Sequence, residues 1–88
     1  METVIVTLKQ LGGAITQARR DQKLTQAQAA QKAGVSVRWL VSVEAGNTPG
    51  ISVGLVLKVL DALNQGMLIV PHTRTRKSVR DLVVDGDV

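Results

Sequence analysis

The stretch Thr25-Gln26-Ala27-Gln28-Ala29-Ala30-Gln31-Lys32-Ala33-Gly34-Val35-Ser36-Val37-Arg38-Trp39-Leu40-Val41-Ser42-Val43-Glu44-Ala45-Gly46 decides the fold. It reads as two short helices joined by a tight turn. Thr25 followed three residues later by Gln28 is a capping box, so a helix starts near Gln26. Ala29, Ala30 and Ala33 make its inner face, and Gly34 ends it as a left-handed cap. Ser36 caps the next helix, Val37 to Ala45, and Gly46 stops it. Ala30 has to be small because the second helix passes close to it, and Gly34 permits the positive φ of a sharp turn. Val35, Leu40 and Val43 fill the angle between the helices. Ser36, Val37, Arg38, Val41 and Ser42 are left projecting away from that core, and a helix exposed in this way fits the major groove of B-DNA.

Upstream, Thr7 and Gln10 form another capping box. Leu8, Leu11, Ile15 and Ala18 then share one helical face, which predicts a helix from about Leu8 to Gln22. Gly12 and Gly13 weaken its start. Leu24 anchors the following turn. The β-branched run Thr3 to Thr7 leaves open whether a short strand precedes this helix. Downstream, Asn47 to Gly50 is a loop. Ser52 caps a fourth helix reaching about Leu63. Val53, Val56, Leu57, Leu60 and Leu63 are read as its main apolar face, with Leu55 and Val59 on another. A helix apolar on two faces needs two surfaces to pack against, the domain's own core and a second subunit. Met67, Leu68, Ile69 and Val70, closed by Pro71, are too few for a helix and read as a strand whose backbone needs a partner, either the Val4 to Val6 segment or the same strand of another subunit.

Composition narrows the function classes. The chain has 88 residues and no cysteine, so neither disulfides nor thiolate metal sites reinforce a small core. Oligomerisation is a common remedy for a domain of this size. A hydrophobic fraction of 44% excludes a disordered chain. The net charge is +4, and Arg19, Arg20, Lys23, Lys32 and Arg38 outnumber Asp21 and Glu44 between positions 19 and 48. That balance suits a polyanionic partner, although a solvated helical surface has the same composition. The one histidine, His72, rules against a histidine-based metal or acid–base centre, and no two carboxylates before the tail are spaced as a catalytic pair. No enzymatic function, cofactor or metal is expected. Met1 to Leu11 lacks a basic region before an apolar run, and no stretch is long enough to span a bilayer. A cytoplasmic protein is the expectation.

Leu24, Thr25, Gln26, Ala30, Gly34, Val35, Ser36, Glu44 and Gly46, together with Arg19, match in order and spacing the pattern of Cro/CI-type (Xre) helix-turn-helix proteins. The resemblance runs from about Leu11 to Leu63. It implies an all-α, lambda-repressor-like domain of four to five helices. Gly34 to Gly46, then Leu55 to Leu63 and the short apolar segment after it, are similar to HipB-type antitoxins. That likeness implies a C-terminal strand pairing across a homodimer, and a HipA-like serine/threonine kinase toxin as partner. Carried over by position, Gln26 touches a phosphate, and Ser36, Val37, Arg38 and Ser42 lie where bases are read. Asn47 and Thr48 contact the DNA backbone, and Arg19 and Glu44 form a structural ion pair. Arg38 is the leading candidate for bidentate pairing with guanine O6 and N7, and Val37 for a thymine methyl. Leu55, Val59, Met67, Leu68, Ile69 and Val70 are the expected dimerisation residues.

Two positions depart from the family pattern. Ala29 stands where leucine is usual. Trp39 stands where the family is often polar, and it either lies against the DNA backbone or covers the core. Lys23 and Lys32 are expected to assist electrostatically or simply to be solvated. The chain thus divides into an extension (1–7), the DNA-binding and dimerisation domain (8–71) and a mobile tail (72–88) with basic residues Arg74, Arg76, Lys77 and Arg80. Three functions fit: an autoregulating antitoxin repressor, a stand-alone or phage-type repressor without a toxin, and an interaction module that has kept the fold without binding DNA.

Overall fold

Every helix start is set by a hydroxyl-bearing residue. In a computed structural model that describes residues 4–72, the helices are α1 (Leu8–Asp21), α2 (Gln26–Ala33), α3 (Val37–Glu44) and α4 (Val53–Ala62). Each lies within one residue of the bounds that the capping signals predict. Both capping boxes form. The Gln10 N–H donates to Thr7 Oγ1 (3.1 Å) and the Thr7 N–H to Gln10 Oε1 (3.0 Å). Likewise the Gln28 N–H donates to Thr25 Oγ1 (3.0 Å) and the Thr25 N–H to Gln28 Oε1 (2.8 Å). Ser36 and Ser52 accept from the N–H groups of Trp39 (3.0 Å) and Leu55 (3.2 Å). These bonds satisfy donors that a helix start leaves unpaired.

Gly34 takes the left-handed conformation (φ 75°, ψ 32°) and turns the chain from α2 into α3. α1 packs on α3, and α2 packs on both α3 and α4. Ile15, Ala29, Ala30, Ala33, Leu40, Val43, Val56, Val59, Leu60 and Leu63 are buried at the centre. Leu11, Ala18, Leu24, Val35 and Trp39 pack around them, half-buried. Trp39 therefore packs on the core and keeps part of its surface open. At the far end, the Gln22 side chain donates to the Leu63 carbonyl (2.5 Å) and ties the C-terminus of α1 to that of α4.

Gly12 has a role beyond its low helix propensity. A β-carbon there would stand 2.5 Å from the Glu44 carbonyl oxygen and 2.8 Å from its carbonyl carbon. α1 and α3 thus meet backbone to backbone, and only glycine allows it. Gly13, one position on, faces open space.

One expected dimerisation residue has to be reassigned. Val59 is fully buried inside its own chain, so it belongs to the domain core and offers no surface to a second subunit. Leu55 is half-buried. The exposed apolar residues of α4 are Val53 and Leu57, two that the sequence pattern had put on the core face. The helix carries more aliphatic residues than one face holds, so periodicity alone did not fix which ones point inward.

Among the described residues there is no strand. Val4 to Val6 have no regular structure, and Thr7 serves as the cap of α1. Met67 to Val70 form no strand with Val4 to Val6, one of the two partners expected from sequence, and the other pairing is one between two chains. In the single chain this segment stands exposed, with Leu68 at 83% and Ile69 at 92%. Arg74, Arg76, Lys77 and Arg80 lie outside the described residues. No helix among the described residues is long and apolar enough to cross a membrane.

Candidate nucleic-acid interface

α3 is held by its inner face and presented by its outer one. Leu40 and Val43 are buried to 1% exposure or less, whereas Ser36, Val37, Arg38 and Val41 are exposed. Ser42 is half-buried beside them. Four of the five residues that the turn was expected to project are therefore open to a ligand, and the fifth is partly so. The Ser36 oxygen already accepts the Trp39 N–H, so its hydroxyl hydrogen is the part left to donate.

The orientation of α3 is fixed by a polar hub centred on Glu44. Arg19 Nε donates to Glu44 Oε2 (2.8 Å) and Arg19 Nη2 to Oε1 (2.9 Å), a bidentate pair. Both side chains are less than one-tenth exposed. Arg19 Nη1 also donates to the Leu24 carbonyl (2.8 Å), which holds the turn before α2. Thr16 Oγ1 and Gln26 Nε2 donate to Glu44 Oε1 at 3.0 and 3.1 Å. One carboxylate thereby joins α1, α2 and the last residue of α3. Burial pushes the Glu44 carboxyl up, but hydrogen bonds from Arg19, Gln26 and Thr16 and the charge of Arg19 outweigh it. The net shift is downward, so the carboxylate stays ionised.

The ion pair expected of Arg19 and Glu44 is thus present as a buried, fully bonded contact. Gln26 sits half-buried at the first position of α2 with one carboxamide hydrogen committed to Glu44. Its second amide hydrogen is not used by that bond, and the N–H groups of the first turn of α2 lie beside it. Asn47 is exposed. Thr48 is half-buried, and its hydroxyl is shut from solvent with no hydrogen-bond partner. A side-chain rotation would have to precede any contact between that hydroxyl and a phosphate. Gln26 and Thr16 were not foreseen as members of the hub. Thr16 lies one turn before Arg19 on the same helical face, which is the signal that would have found it.

The family model described as a helix-turn-helix domain matches residues 10–66. No curated protein sequence gives a significant match. Among solved structures, the chain is similar to one from a HipA–HipB–O2–O3 complex, with 22% identity and a TM-score of 0.72 over 82% of this chain and 100% of that one. It is similar also to a chain of a HipB(S29A)–O2 20mer complex, with 23% identity and a TM-score of 0.74 over 83% of this chain and 100% of that one. The clp gene regulator ClgR from C. glutamicum gives 23% identity and a TM-score of 0.63 over 99% of this chain and 95% of that one. At these identities the likeness is one of fold. With the family model covering well over half of the sequence, the chain belongs to the helix-turn-helix domain family and is of the Cro/CI type with a HipB-like fold.

Proposed function

We propose that this chain is a sequence-specific repressor that binds double-stranded DNA as a homodimer and serves as the autoregulating antitoxin of a HipA-like serine/threonine kinase. The observation that carries the DNA reading is the exposure of Val37, Arg38 and Val41 on a helix whose opposite face is locked into the core. A helix so displayed offers side chains to base edges, with Gln26 and Asn47 placed on either side of it in sequence for backbone contacts. In a dimer, two such helices enter successive major grooves about 34–36 Å apart on a palindromic operator. Repression follows from occlusion of a promoter.

The apolar surface at Leu57 and at Met67 to Val70 supports a second copy as partner, since a small domain gains stability by covering it. The kinase partner has support from the likeness to a chain of a HipA–HipB complex. It also follows from the sequence likeness of Gly34 to Gly46 and Leu55 to Leu63 to HipB-type antitoxins.

A mobility-shift assay with duplex from upstream of the chain's own gene, beside a scrambled duplex, tests the repressor reading. Preference for the upstream duplex supports it, and equal, salt-labile retention of both would replace it with an interaction module. Co-purification with the product of an adjacent kinase-like gene tests the antitoxin role. A chain that binds its operator and retains no kinase is a stand-alone repressor.

A further inference from the structure

α3 has only eight residues, and two of its exposed positions are valine: Val37 at 43% and Val41 at 42% exposure. They are four residues apart, hence on one face, with β-carbons about 6 Å from each other. Valine is a poor choice for a solvated helix surface, because its branched side chain loses rotamer freedom there and gains nothing unless it is covered. Both keep a large part of their surface open in the described part of the chain. Arg38 is exposed beside them.

The outer face of α3 therefore alternates one guanidinium with two aliphatic knobs. The major-groove edge of DNA offers a single apolar group, the C5-methyl of thymine, and guanine is the partner suited to a guanidinium. From this match, and resting on the DNA-binding reading above, we infer that Val37 and Val41 together read two thymine methyl groups in each half-site. Val41 thereby becomes a specificity-determining residue. The resemblance to Cro/CI-type proteins assigns base reading to Ser36, Val37, Arg38 and Ser42 and gives no role to Val41. A separation of about 6 Å spans roughly two base-pair steps of about 3.4 Å. The two thymines then lie one to three base pairs apart, on the same or opposite strands, next to the guanine taken by Arg38.

The test starts by selecting preferred duplexes from a random pool with the full chain, then replacing each thymine of the selected site by deoxyuridine, which removes only the methyl. Two positions per half-site should each lose about fourfold in affinity, the effect of uncovering one methyl-sized group. Val41→Ala should abolish the sensitivity at one position and Val37→Ala at the other, with helix content unchanged by circular dichroism. Val41→Ala protein that keeps both methyl sensitivities, or uracil substitutions without effect at every position, would overturn the inference while leaving DNA binding intact. Failure of the selection to enrich any sequence would remove the DNA reading itself and the inference with it.

Discussion

Gly12 of α1 rests directly against the backbone of Glu44 in α3: a β-carbon at position 12 would lie 2.5 Å from the Glu44 carbonyl oxygen. The obstacle is main chain, which cannot swing aside as a flexible side chain does. Gly12→Ala should therefore push α3 off α1 and destabilise the domain by about 1–3 kcal/mol. Gly13→Ala is the control, because nothing lies within 4 Å of its added carbon. Glycine inside a helix is inferior to alanine, so this change should stabilise by about 0.5–1 kcal/mol. Urea unfolding of the two variants checks the pair, and equal midpoints would mean that α1 and α3 do not approach as closely as described.

The Arg19–Glu44 pair is buried and bidentate, and losing one member strands the other. Arg19→Met should destabilise by about 3–5 kcal/mol, a large share of what so small a domain possesses. Adding Glu44→Leu should recover part of that loss, since the stranded carboxylate is then gone. A double variant no more stable than Arg19→Met would argue against a direct pair.

Glu44 also sets an acid limit. Its folded pKa lies below the unfolded value of 4.5, so in the window between the two the unfolded chain binds more protons than the folded one. The stability from this carboxylate is fully present above 4.5 and is lost as pH falls through the lowered folded value. Glu44→Gln should be less stable near neutrality and should show a shallower decline on acidification. Chemical unfolding from about pH 7 to about pH 3 measures both slopes, and parallel declines would remove Glu44 as the cause.

Leu57 and Val59 separate surface from core on α4. Val59→Ala should lower stability by about 1–3 kcal/mol because it opens a cavity among fully buried neighbours. Leu57→Asp, at a 46% exposed position, should spare the fold and weaken self-association. Light scattering at matched concentrations distinguishes them. Association lost with Val59→Ala and kept with Leu57→Asp would return the interface to the face first read from sequence.

What could be read in the sequence follows from how local each signal is. Thr7 with Gln10, Thr25 with Gln28, and Gly34 act within four residues, and the helix bounds they predict match the structure. The Arg19–Glu44 pair spans 25 positions and was reached through family resemblance. Nothing local announced it. The bond from Gln26 to Glu44 crosses 18 positions and was missed, as was Thr16 at 28. Gly12 looked like a propensity defect, because a close backbone approach has no signature along one helix. On α4, an excess of aliphatic residues hid the choice between Leu57 and Val59. Trp39 stayed ambiguous for a related reason: its position on α3 borders both the core and the outer face.

In the proposed complex with DNA, α3 reads sequence through Arg38. Fluorescence anisotropy of the native chain and of Arg38→Ala, on upstream and scrambled duplexes at two salt concentrations, tests it most directly. The native chain should prefer the upstream duplex at both salts. Arg38→Ala should lose about 1–3 kcal/mol of that preference, roughly 5–150-fold, while retaining salt-dependent binding to either duplex. An unchanged preference in Arg38→Ala, or no preference in the native chain, would contradict the assignment of α3 as the recognition helix.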